Sequence, residues 1–289
     1  MNMENLLRRG IRLTLALIAL GWMPTLGAQG AAVPLTLAVH PYLPATELQD
    51  RLQPLADYLA REMERKVIVR VGKDYKEHLQ AVGADQVDLA LMGPVSYVLM
   101  RSRFGEKPLL ARLGAGGQPM MHGVIAVRRD SPLQDLASLI DKRFAFGAPE
   151  STTSHAVPRY MLLRAGIPRG LPTEHRFLGS HRNVAMGVLV GDFDAGALQK
   201  EVFDEFAPRG LRALAVTPGV PESLFVARSD LPPAEVQRLR RALLNLARLP
   251  HGPAILARLR QDLTALAPVA DTDYDPLRAM MRAVDIGGN

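Results

Sequence analysis

Four consecutive hydroxyl side chains, Ser151, Thr152, Thr153 and Ser154, precede His155 and follow a short apolar run at 144–146. Gly147 and Pro149 break that run, and Val157, Tyr160, Met161 and Leu162 then repeat at helical spacing. The hydroxyls therefore fall where a strand gives way to a helix. A helix start carries unpaired N–H groups and a partial positive charge. Hydroxyls beside it add donors that rotate to meet an oxyanion, so a small anion can be held with no Lys or Arg. Capping alone also favours Ser and Thr at this place, although one hydroxyl suffices for a cap.

Other residue types allow other chemistry. Ser151, His181 and Asp194 supply the members of a hydrolytic triad, but no Gly-x-Ser-x-Gly elbow surrounds any of these serines. His40, His122, His155 and His181, with Tyr42 and Tyr97, offer metal ligands. No His-x-x-x-His spacing or acidic cluster accompanies them, and the chain has no Cys. Neither catalysis, a metal nor a cofactor is expected. Met120-Met121 and Met280-Met281 read as core or hinge packing.

The elements that must position these groups alternate. Strand-like runs at 35–39, 67–71 and 87–92 alternate with helical patterns at 47–65, 75–83 and 94–101. This βαβαβα order argues for a mostly parallel sheet flanked by helices. Near Gly123 the chain changes course. Strands are expected at 124–127, 144–146, 175–178, 193–198, 211–216 and 223–227. Helices are expected at 132–140, 183–190, 233–249, 253–263 and 276–284. The Gly-rich run at 114–117 and the Pro/Gly run at 217–221 mark the expected crossings between two lobes. Ligands in open α/β sheets bind beyond the carboxyl ends of strands. Three segments lie there: 40–44, 93–97 and 151–155.

The first residues have the form of an export signal: Arg8, Arg9 and Arg12, an apolar core at 13–23, then Leu26-Gly27-Ala28. Cleavage after Ala28 is expected to leave a soluble protein outside the cytoplasm, in the periplasm. The whole chain of 289 residues carries a net charge of +6, and loss of the segment's three Arg and one Glu leaves +4. Lys and Arg are scattered, which argues against nucleic-acid binding. An exported chain without Cys must rely on its core, and about 260 residues suffice for one.

With these residues in view, the chain resembles the PhnD-like periplasmic phosphate-, phosphite- and phosphonate-binding proteins of ABC transporters. The resemblance rests on Val71-Gly-Lys-Asp-Tyr75, Gln86-Val-Asp-Leu-Ala90, Gly93-Pro-Val-Ser-Tyr97, the segment 144–163 with Ala165-Gly-Ile167, Gly179-Ser-His181, Asn183-Val-Ala185, the segment 191–197 and Val220-Pro-Glu222, in the family's order. It implies an α/β, two-lobed type II periplasmic-binding-protein fold. Two mixed sheets flanked by helices would form lobe 1 (33–122 and 222–289) and lobe 2 (123–221), joined by two hinge strands. It implies ligand contacts from Ser151, Thr152, Thr153 and Ser154, from Tyr42 and Tyr97, from His181 as a donor, and from Asp194 as the acidic residue facing the oxyanion. A carboxylate suits an anion site when the guest carries a proton, since it accepts strongly from a P–OH group. Arg182 departs from the acidic residue common beside the histidine. The implied partners are a small phosphorus oxyanion and a membrane permease, or else a sensor receptor, bound by a monomer.

Overall fold

A computed structural model describes residues 33–115 and 119–287. The expected export segment lies outside them. In chain order the first part runs β1 (Leu35–Val39), α1 (Ala45–Met63), β2 (Val67–Val71), α2 (Tyr75–Gly83), β3 (Leu89–Met92), α3 (Pro94–Phe104) and β4 (Leu109–Ala115). The middle part is β5 (Met120–Met121), β6 (Gly123–Arg128), β7 (Arg143–Phe146), α4 (Val157–Arg164), β8 (Glu174–Phe177), α5 (His181–Leu189), β9 (Ala195–Gln199), α6 (Lys200–Phe206), β10 (Leu211–Val216) and β11 (Val220–Pro221). The last part is β12 (Leu224–Ala227), α7 (Pro233–Asn245), α8 (Gly252–Leu259), β13 (Leu263–Ala267) and α9 (Asp275–Ala283).

One sheet has the order β2-β1-β3-β12-β4-β13 and the other β8-β7-β9-β6-β10. They share a plan. In each, three parallel strands are followed by one antiparallel strand, β12 or β6, and then by a strand running with the first three. The antiparallel strand is in each case the one that directly follows a passage of the chain from one sheet to the other. At those passages β5 pairs antiparallel with β11, Met121 facing Val220 and Met120 facing Pro221. β11 lies in the Pro/Gly run at 217–221, and part of the Gly-rich run at 114–117 lies outside the described residues.

Helix α1 shows why these elements hold. Its apolar stripe, Leu48, Leu52, Leu55 and Leu59, is fully buried. Each such leucine contributes roughly 1.5–3 kcal/mol by leaving water. Tyr58 on the same helix donates its hydroxyl to the Ala242 carbonyl at 2.9 Å, tying α1 to α7. Glu64 ends the helix in the left-handed conformation (φ 54°).

Candidate functional site

The hydroxyl segment begins at Ser151, an extended N-cap whose Oγ accepts the Ser154 N–H at 3.2 Å. The next turn, Thr152–Ala156, is a π-turn that leads into α4. Pro158 explains the widening. Its ring would crowd the Ser154 carbonyl in a regular α-helix. The π-turn moves that carbonyl out of the ladder, and it accepts from the Gly147 N–H at 3.2 Å instead. Ser154 Oγ donates to the Ala197 carbonyl of β9. The segment is thus fastened to its own sheet on two sides, and Ser151, Thr152 and Thr153 remain along a cavity wall.

The opposite wall comes from the other sheet. His40 and Tyr42 follow β1, Tyr75 opens α2, and Gly93 and Pro94 open α3. The Val95 N–H, in the first turn of α3, donates to Thr152 Oγ1 at 3.0 Å. Burial raises the Tyr75 phenol well above its usual range, with the Ser151 side chain acting in the opposite sense. His181 completes the wall at the start of α5. Its Nδ1 accepts the Gln199 N–H at 3.0 Å. A neutral imidazole that accepts at Nδ1 carries its proton on Nε2, so His181 offers a donor. Burial holds His181 far below the usual imidazole range, at about 3, and it stays neutral. Burial likewise lifts the Tyr42 phenol to about 12, with the Glu201 carboxylate adding to the effect, so Tyr42 keeps its hydrogen. The enclosed space is about 40 Å³, room for roughly three water-sized atoms. It continues past Met121, Gln199 and Arg260 into an outer cleft of about 670 Å³.

The structure brings together Tyr42, Ser151, Thr152, Thr153 and His181 along the cavity, and gives three other expected residues different partners. Tyr97 lies one turn into α3 and points away from the cavity, donating to Asp271 Oδ1 at 2.7 Å and packing on the Tyr274 ring. Ser154 serves the tether to β9 described above. Asp194 precedes β9, at the strand end remote from the cavity. It binds the Arg143 side chain at 2.9 Å and the Arg143 N–H at 2.9 Å. The residue of β9 that reaches the cavity is Gln199, at its carboxyl end. The sequence did not single out Tyr75 or Arg260, and His40 entered as a possible metal ligand and as part of the segment 40–44 expected at the strand ends. The missed signal was strand direction: the residue closing an apolar strand faces the crevice, and the residue before it does not.

Asp194→Asn is therefore expected to leave ligand affinity unchanged in a calorimetric titration. Its carboxyl is held below the usual range, chiefly by the hydrogen bond from the Arg143 side chain. A depressed carboxyl stabilises the fold above its unfolded pKa, and that contribution fades as pH falls through the folded value. The variant should match the wild-type melting temperature under acid and fall slightly below it at neutral pH.

Arg182 pairs with Glu47 of α1 at 3.1 Å and with Glu205 at 3.0 Å. Its partners are carboxylates, so it adds no positive charge to the cavity. Arg260 at the cavity edge is neutralised by the buried Glu222 at 2.6 Å and by Asp262 at 2.6 Å. Ser151, Thr152, Thr153 and His181 are left as neutral donors on a wall that also includes the Glu150 side chain. The triad reading fails on geometry, because His181 Nδ1 meets a backbone N–H and the Asp194 carboxylate is engaged elsewhere. Among the described residues no cluster of three or more His, Asp or Glu is placed to hold a metal.

Two mixed sheets joined by paired passages, with a donor-lined cavity at their strand ends, define a type II periplasmic binding protein. Residues 37–274 match the family described as ABC transporter, phosphonate, periplasmic substrate-binding protein, and the chain belongs to that family. It is 27% identical over 229 residues to the phosphonates-binding periplasmic protein of Escherichia coli K12, covering 74% of this chain and 68% of that one. It is 26% identical over 280 residues to the phosphate-import protein PhnD of Mycolicibacterium smegmatis, covering 87% and 86%. The fold matches PhnD1 of Prochlorococcus marinus, solved with methylphosphonate, at a TM-score of 0.78 and 21% identity over 87% of this chain and 98% of that one. The protein is a transporter component and not an enzyme.

Proposed function

We propose that the cavity seats the tetrahedral head of a phosphorus oxyanion, a phosphonate, phosphite or phosphate, for delivery to the membrane permease of an ABC transporter. The observation that supports this most is the meeting of Ser151, Thr152 and Thr153 with the α3 start and the Nε2–H of His181 around so small a space. Neutral, buried donors suit a compact anion, because no fixed cation needs to be desolvated with it. An organic substituent has room outward, in the cleft beyond Met121, Gln199 and Arg260. Residues 33–122 with 222–289, and residues 123–221, act as two bodies that close on the ligand. The mature form begins after Ala28 and works as a monomer.

Calorimetry against phosphate, phosphite, methylphosphonate and 2-aminoethylphosphonate tests this reading. At least one is expected to bind. Ser151→Ala should weaken it about tenfold to a hundredfold, as for one lost hydrogen bond to a charged group. Silence across all four ligands, or unaltered affinity in the variant, would refute the assignment.

A further inference from the structure

Asp194 lies away from the cavity, and Glu150, half-buried, is a carboxylate among the lining residues. A fully buried acceptor stands there as well. His40 is buried at 6% exposure, and its Nδ1 lies 3.4 Å from the Leu91 carbonyl oxygen. A carbonyl only accepts, so Nδ1 carries the hydrogen and Nε2 is left with a bare lone pair. Nε2 lies on the ring edge that borders the Cα of Gly93. A Cβ built on Gly93 would sit 3.7 Å from both His40 Cε1 and Nε2, and 3.9 Å from Thr152 Oγ1. The lone pair thus borders the same space as the turn hydroxyls. His181 is fixed in the opposite sense, Nε2 donating. The two imidazoles of one cavity are held as one acceptor and one donor.

We infer that His40 Nε2 accepts the hydrogen of a singly protonated phosphorus oxyanion, so that the site selects monoanions bearing an acidic OH over sulfonates and over fully ionised guests. This rests on the reading that the cavity is the oxyanion site. A guest with no hydrogen sets an oxygen lone pair against that of Nε2, an unpaired buried contact between two acceptors. Gln199 makes no such choice, because its amide turns over to donate or accept.

The surroundings identify the source of the hydrogen. The groups facing His40 are Tyr42 from its own loop, Tyr75 and His78 from α2, and His181 from α5, with Glu150 and the Arg260–Glu222 pair on the rim. Burial raises both tyrosines and holds His40 at about 4 and His78 at about 3. Neither these histidines nor His181 holds a spare proton near neutrality, so the hydrogen must arrive on the ligand.

The experiment is calorimetry of the mature protein with methylphosphonate and with methanesulfonate, in buffers of differing ionisation enthalpy, between about pH 5.5 and 9. Above the second ionisation of methylphosphonate its affinity should fall about tenfold per pH unit, with one proton taken up per ligand. Methanesulfonate should bind at least ~100-fold more weakly and take up no proton. His40→Leu should narrow that gap to about tenfold or less, while His40→Gln, which keeps an acceptor, should preserve most of it. A flat pH profile, equal affinity for the sulfonate, or proton uptake with the sulfonate would overturn the inference and leave the oxyanion site standing. Absence of binding by either probe at every pH would overturn both. The wild-type measurements decide the matter even if His40→Leu does not fold.

Discussion

Gly93→Ala is expected to lower affinity for methylphosphonate about a hundredfold while changing folding stability by no more than about 1 kcal/mol. The backbone at Gly93 (φ −68°, ψ 151°) is one that alanine adopts freely. The new methyl would meet His40 and Thr152 at 3.7–3.9 Å, ordinary contact distances, so nothing need move. What it takes is space, in a cavity of about 40 Å³. On the proposed reading, glycine is required here by the guest, not by the fold. Thermal melting beside calorimetry separates the two effects. Undiminished affinity in a folded variant would mean that the oxyanion is seated elsewhere.

Glu222→Gln should be the most damaging of the single changes considered for stability. The Glu222 side chain is 1% exposed, and its carboxylate holds Arg260 at 2.6 Å and the Ser223 N–H at 3.1 Å. The surrounding backbone is equally committed, with the Glu222 N–H bonded to the Pro119 carbonyl and its carbonyl accepting the Tyr274 hydroxyl. Breaking a buried ion pair from one side typically costs about 3–5 kcal/mol. Arg260 keeps Asp262, so a loss of about 2–4 kcal/mol is expected, measured by denaturant unfolding without ligand. A loss below about 1 kcal/mol would show that Asp262 and water satisfy the guanidinium unaided.

Much of the scaffold was legible because apolar runs and breakers coincide. The strand at 35–39, the strand at 67–71 and the helix at 75–83 appear with those bounds. Leu109–Ala115 and Leu263–Ala267 were not foreseen. Their Leu, Ala and Arg favour helix locally, and they become strands by pairing with each other, as β4 does with β12. The helix expected at 132–140 shrinks to one turn, Ala137–Leu139; Asp135 accepts the Ser138 N–H at 2.9 Å in the manner of an N-cap, which leaves 132–134 outside the turn. In the site, the hydroxyl turn, Tyr42 and His181 could be read from the chain. Tyr97 could not, since Asp271 and Tyr274, which claim it, come from the far end of the sequence. The hydrogen-bond sense of each imidazole depends on Leu91 and Gln199 backbone groups distant in the chain, and no local pattern encodes it.

The bond from the Val95 N–H to Thr152 Oγ1 gives the binding wall a direction. An amide can only give, so the hydroxyl oxygen spends one lone pair on it and keeps its own hydrogen to offer a guest. A peptide group at the start of one helix thereby anchors a side chain carried by the other sheet, and the donor is aimed before any ligand arrives.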